Sequence, residues 1–184
     1  MLLYSVQIVD RASRTSARFS RTTVGPAVEK IAILVDVQNI YYTTRQAFDR
    51  QFDYRAFWKT ATANRAVVSA FAYAIEPSSS KQASFQQILR EVGFEVKLKP
   101  YIQRSDGSAK ADWDVGIALD MMDLAEPADT IVLASGDGDF DLAIDRARLR
   151  HDVKTEVFGV QSLTASSLIR ATDVFVPIDD RFLM

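Results

Sequence analysis

The densest chemistry in the chain lies in one short stretch, Ser135-Gly136-Asp137-Gly138-Asp139-Phe140-Asp141. Its carboxylates recur at every second position. Clustered carboxylates repel one another and are costly to bury unpaired, so a hard cation such as Mg²⁺ or Mn²⁺ is their natural counter-charge. Further acids stand at Asp36, Asp112, Asp114 and Asp120. A pocket of such groups binds one or two divalent ions through oxygen, and such ions activate water and stabilise in-line displacement at phosphorus. Helix capping is the competing role for any one of them, because Asp is favoured at an N-cap and in a first turn.

The acids are useful only if the fold gathers them. Ile131-Val132-Leu133-Ala134 is a continuous apolar run ending at a Ser-Gly turn, as a buried parallel strand does. Phe140-Asp141-Leu142-Ala143-Ile144 then has helical spacing, so Asp137 and Asp139 fall on a strand-to-helix turn. In open α/β sheets that turn lies at the carboxyl edge, where ligands bind. Ile31-Ala32-Ile33-Leu34-Val35-Asp36 is a second such run, and it places Asp36 on the same edge. The two acids can meet if their strands are neighbours. A helix expected over 112–126 would bring Asp112 or Asp114 to the ring, with Asp120 further along it.

The remaining pattern alternates. Helices are expected over 52–63, from Ser80 as cap to Val92, to Arg150 after the central strand, and over 162–170. Strands are expected over 66–75, 94–99, 153–158 and 173–176, with a polar loop over 101–111. Such alternation predicts a three-layer α/β/α sandwich with a mostly parallel, Rossmann-like sheet.

At 184 residues the chain reads as one domain, residues 30–184, preceded by an extension over 1–29. That extension is rich in Arg, Ser and Thr, with an alternating stretch at Tyr4–Val9, and reads as an edge strand or basic arm. The hydrophobic content of 48% is ample for a core. No apolar run approaches the roughly 20 residues that span a bilayer, so no membrane partner is expected. The chain has no Cys, which excludes disulfides, zinc thiolates and Cys nucleophiles and suits a cytoplasmic location. One histidine, His151, makes a His-based metal site or a Ser-His triad improbable, and it sits where a helix should end. A net charge of −2 means that any basic surface for nucleic acid is local.

Rival motifs fail on their own chemistry. Asp137, Asp139 and Asp141 mimic the start of a calcium loop, but Leu142 stands where that loop needs Gly and Arg148 where it needs Glu. No G-x-G-x-x-G or G-x-x-x-x-G-K-[ST] occurs, which removes the main support for dinucleotide or P-loop binding. Asp36-Val37-Gln38 lacks the second Asp of an aspartyl-phosphate phosphatase.

The ordered set Asp36-x-x-Asn39, Lys110 with Asp112-Trp113-Asp114-Val115, and Ser135-Gly136-Asp137-Gly138-Asp139-Phe140 resembles the NYN domain of the LabA-like family, from about Lys30 to the C-terminus. The resemblance implies the PIN-like nuclease fold, an acidic site for Mg²⁺ or Mn²⁺, and metal-dependent RNA cleavage. By position, Asp36, Asp114 and Asp137 would be the metal-binding acids, with Asp139 supporting catalysis. Asn39 would orient the site or touch substrate, and Ser135 would line it. The sequence departs from the pattern in having Lys110-Ala111 where Lys-Gly is expected, and its extra Asp112 leaves the choice between Asp112 and Asp114 open. A non-catalytic RNA-binding or regulatory module that keeps the fold is the alternative.

A path for RNA is drawn by basic and aromatic residues. Lys97 and Lys99 point to one face of their strand by period two. Tyr101, Arg104 and Lys110 follow on the adjoining loop, and Tyr41 and Tyr42 stand just past the first acid. Cations for phosphates and aromatics for bases suit single-stranded RNA. An ordinary solvated strand edge accounts equally for the lysines. Nothing in the pattern fixes the oligomeric state, a homodimer included.

Overall fold

The computed structural model describes residues 27–100, 102–103, 109–110 and 112–184. Residues 1–26 lie outside the described residues, and with them the expected edge strand or basic arm.

Six strands form one parallel sheet: β1 (Lys30–Asp36), β2 (Ala66–Ile75), β3 (Glu95–Lys99), β6 (Thr130–Ala134), β7 (Lys154–Gly159) and β8 (Val174–Pro177). Their spatial order is β3-β2-β1-β6-β7-β8. β1 and β6 are therefore central neighbours, and the winding reverses between them. That reversal opens a crevice at their carboxyl ends. Both strands are continuous apolar runs because both of their faces are covered. Ile31, Ile33 and Val35 join Val132 and Ala134 on one face, against α1 (Val37–Phe48), α2 (Tyr54–Ala61) and α3 (Ser80–Val92). Ala32, Leu34, Ile131 and Leu133 turn to the other, against α4 (Asp114–Ala125), α5 (Asp141–His151) and α6 (Ser166–Ala171). The expected three-layer sandwich is the observed one.

Several boundaries differ, each for a local reason. Ser79, not Ser80, caps α3: its side chain accepts from Gln82 N–H. Asp53 caps α2 by accepting from Arg55 and Ala56 N–H, so that helix begins at Tyr54. The helix expected over 112–126 starts at Asp114, with Trp113 as N-cap. His151 is the last residue of α5, and Asp152, in a left-handed conformation, ends it. The single helix expected over 162–170 is two pieces, a 3-10 turn (Gln161–Leu163) and α6. The polar loop over 101–111 contains an antiparallel pair, β4 (Ile102–Gln103) and β5 (Ala109–Lys110).

The C-terminal residues belong to the core. Phe182 is buried against Phe52 and Phe158, and its carbonyl accepts from Asp53 N–H at 2.8 Å. Glu29 likewise belongs with the domain: it pairs with Arg65 at 3.0 Å and accepts from the Thr130 hydroxyl at 2.6 Å.

Candidate functional site

The register of the central strands sets the site. Val35 lies opposite Ala134, so the next residues, Asp36 and Ser135, leave the sheet side by side. The Ser135 hydroxyl donates to Asp36 Oδ2 at 3.3 Å and accepts from Asp137 N–H at 3.2 Å. Asn39 Oδ1 accepts from Gly136 N–H at 2.9 Å. The two acid-bearing turns are thus stitched together by Ser135 and Asn39.

Capping does not use up either carboxylate. Asp36 Oδ1 accepts from Asn39 N–H at 3.1 Å and so caps α1. Asp137 Oδ1 accepts from Asp139 N–H at 3.0 Å and caps the 3-10 turn Gly138–Phe140. Each cap occupies one oxygen and fixes the carboxylate. Asp137 Oδ2 makes no hydrogen bond among the described residues, and the residue is half-buried.

Asp36 is the electrostatic centre. Its carboxyl is pushed up to about 6 from 3.8, chiefly by burial, with the nearby charges of Asp114 and Asp137 adding to the rise. The hydrogen bonds from Asn39 and Ser135 work in the opposite direction. The structure therefore brings Asp36, Asp114 and Asp137 into one field at the crevice. Asp114 is the first residue of α4 and half-buried, whereas Asp112 precedes the helix. Asp139 is exposed on the turn, and Asp141 opens α5. Asp120 faces elsewhere: it accepts from the Tyr73 hydroxyl at 2.7 Å and pairs with Lys97 at 2.6 Å.

The donor set is all oxygen and anionic, which suits a hard dication in kind. Among the described residues, however, no three acids close round one point as metal ligands. The carboxylates share a field without forming a finished coordination shell.

The expected RNA contacts fall unevenly. Tyr41 and Tyr42 are exposed on α1 at 51% and 60%, edge to face at 5.4 Å. Lys97 and Lys99 do share a face, but it is the α4 face. Lys97 Nζ sits 3.8 Å over the Phe71 ring and is held by Asp120. Lys99 Nζ donates to the Asp112 carbonyl at 2.8 Å and lies 4.7 Å over the Trp113 ring. Lys110 is in β5, its side chain outside the described residues; Arg104 and Tyr101 are outside them altogether.

Two residues at the site had no sequence signal. Tyr54 is buried, and its hydroxyl is pushed up chiefly by burial and then by the charge of Asp36, so it borders that carboxylate. Thr164 wedges against the turn after β6: a Cβ on Gly136 would meet its Oγ1 at 3.0 Å, and one on Gly159 would meet it at 2.4 Å. Ala165 N–H donates to the Gly136 carbonyl at 3.0 Å. The break between the 3-10 turn at 161–163 and α6 thus serves to seat residues 164–165 against the acidic turn.

A doubly wound parallel sheet with acids gathered where the strand order reverses is a three-layer α/β/α domain with its candidate site at the switch point. A model of the NYN domain matches residues 30–179, and the chain belongs to that family, a PIN-like nuclease family. It is similar to the low amplitude and bright protein LabA of Synechococcus elongatus, 32% identical over 160 residues, covering 82% of this chain and 84% of LabA. It is also similar to a crystal structure of a Vibrio parahaemolyticus protein of unknown function, VPA0982, at 56% identity and a TM-score of 0.83, covering 87% of this chain and 99% of that one.

Proposed function

We propose that the protein is a metal-dependent ribonuclease that hydrolyses RNA phosphodiester bonds at the crevice between β1 and β6. The observation that carries this reading is the buried Asp36 carboxylate, which shares the field of Asp114 and Asp137 and enters no ion pair among the described residues. Such an arrangement is costly in a bare protein and is relieved by a hard cation. Asp36, Asp114 and Asp137 are the residues to hold Mg²⁺ or Mn²⁺, with Asp139 beside them. A divalent ion there supplies Lewis acidity for water and neutralises charge on the phosphate.

The chain's own contribution is placement. Ser135 and Asn39 lock the two acid-bearing turns, so the carboxylates meet the substrate without rearranging. α1, α4 and the turn leading to α5 all begin at this edge, and their N-terminal dipoles favour an anionic group. Tyr41, exposed on the first helix, would stack an unpaired base, and Arg104 and Lys110 would supply cations for the strand. The substrate is accordingly single-stranded RNA. No helix among the described residues is long and apolar enough to cross a membrane. With no cysteine to oxidise, the chain suits the cytoplasm.

The second reading is a non-catalytic RNA-binding or regulatory module. The open acidic arrangement, in which no three described acids close as ligands, is the observation on its side. Cleavage of labelled single-stranded RNA, by protein freed of host nucleases, separates the two. Cleavage in Mg²⁺ or Mn²⁺ that EDTA abolishes supports the ribonuclease; tight RNA binding without cleavage on any RNA supports the module.

A further inference from the structure

Asp114 is the first residue of α4. The N-cap of α4 is Trp113, which makes no side-chain capping bond. Among the described residues, contacts to the carboxyl ends of β2 and β3 hold this segment. Trp113 Nε1 donates to the Ala74 carbonyl at 2.9 Å, and its ring packs on Tyr73 with centroids 5.3 Å apart. Lys99, at the end of β3, donates to the Asp112 carbonyl at 2.8 Å while lying 4.7 Å over the same indole. Gly116 admits the ring: a Cβ there would meet Trp113 Cε3 at 2.7 Å. Tyr73 is the residue opposite Asp36 in the sheet. Fastening Trp113 beside Tyr73 therefore delivers the next residue, Asp114, to Asp36.

We propose that Lys99 and Trp113 form a latch that positions Asp114 in the acidic site, so that Lys99 is a positioning residue for the cation site and not a contact to RNA phosphate. This rests on the ribonuclease reading given above. A charge-assisted hydrogen bond and a cation–π contact act on one backbone segment, and each is geometrically demanding. Loss of such an orienting contact typically costs 10–100-fold in metal affinity. Simple electrostatics predicts the reverse: removing a positive charge near carboxylates tightens binding of a dication. The sign of the effect therefore separates the two.

Calorimetric titration of the full chain with Mn²⁺ alone is the test, paired with metal-free binding of a labelled single-stranded RNA across a salt series. Lys99→Met keeps the stem and removes the ammonium; it should weaken Mn²⁺ binding by at least ~10-fold. Lys99→Arg should restore it, because a guanidinium can donate to the same carbonyl and stack on the indole. RNA affinity in EDTA, and its salt slope, should stay within about twofold of wild type in both variants. Unchanged or tighter Mn²⁺ binding in Lys99→Met overturns the latch. A shallower salt slope with unchanged Mn²⁺ affinity overturns it in favour of a phosphate contact, and a lower melting temperature with unchanged Mn²⁺ affinity reduces it to a fold contact. If the wild type binds no Mn²⁺, the metal-dependent reading fails and the latch falls with it.

Discussion

Asn39 and Gly136 are 97 residues apart in sequence and joined by a 2.9 Å hydrogen bond, from the Gly136 N–H to the Asn39 side-chain oxygen. That bond couples the turn after β1 to the turn after β6, the two turns that carry Asp36 and Asp137. Asn39→Ala leaves a buried N–H without its partner, which costs about 1–3 kcal/mol. It also frees the two acids to drift. Urea unfolding should show the loss of stability, and single-turnover cleavage should fall by roughly 10–100-fold, the scale of a lost orienting contact. A variant that is destabilised yet cleaves like wild type would mean the bond serves the fold alone.

Asp36 gives the domain a pH signature. Its carboxyl binds a proton more tightly in the folded protein, at about 6, than in the unfolded chain, at 3.8. Between those values the folded state holds more protons than the unfolded state, so stability falls as pH rises through the window. The cost is absent below the lower value and complete above the upper. At about 1.4 kcal/mol per pH unit the rise amounts to about 3 kcal/mol, an upper bound for a site that solvent can enter. In EDTA, Asp36→Asn should therefore be more stable than wild type at pH 7.5, and the difference should close near pH 4. Millimolar Mn²⁺ should stabilise wild type more than the variant. Parallel stability curves for the two proteins across pH 4–8 would contradict the burial of an uncompensated charge.

Gly159 and Thr164 define a steric couple behind the acidic turn. An alanine at 159 would put its Cβ 2.4 Å from Thr164 Oγ1, which is itself tied to the Val160 carbonyl at 2.8 Å. Overpacking of this kind costs about 1–3 kcal/mol. Thr164→Ala opens the space, so the Gly159→Ala, Thr164→Ala double variant should lose less than the sum of the single losses. Additivity in a double-mutant cycle by thermal unfolding would show that the backbone, not Thr164, yields.

Tyr41 and Tyr42 are solvent-exposed and offer little to the core. Tyr41→Ala should leave the melting temperature unchanged within a degree or two. It should weaken binding of single-stranded RNA by about 1–3 kcal/mol, the range for one base stacked on an aromatic ring. Fluorescence anisotropy with matched single-stranded and duplex RNA checks this, and equal losses for both would argue against stacking of an unpaired base.

Much of the fold was legible because its central strands are unambiguous. Continuous apolar runs at 31–35 and 131–134 can only be covered on both faces, and each ends in an acid-bearing turn. The carboxyl-edge placement of Asp36 and Asp137 followed from that. Lys97 and Lys99 were harder: period two put them on one face, but only the packing of α4 shows that Asp120 and Trp113 await them there. The break between 163 and 166 was invisible because it answers a distant need, the bond from Ala165 N–H to the Gly136 carbonyl. Tyr54 escaped for a similar reason. A buried tyrosine at the start of an amphipathic helix reads as core, and only the fold brings it to Asp36.

Asp36 and Asp137 are the two central acids of the proposed site. The Asp36→Asn, Asp137→Asn double variant keeps both shapes and most of the turn hydrogen bonding while removing two negative charges from the crevice. Single-turnover cleavage of a labelled single-stranded RNA in Mg²⁺ or Mn²⁺ should fall by at least ~100-fold, the scale of one lost transition-state contact, with the melting temperature held or raised. Cleavage by the double variant at the wild-type rate would contradict the account and place the activity elsewhere.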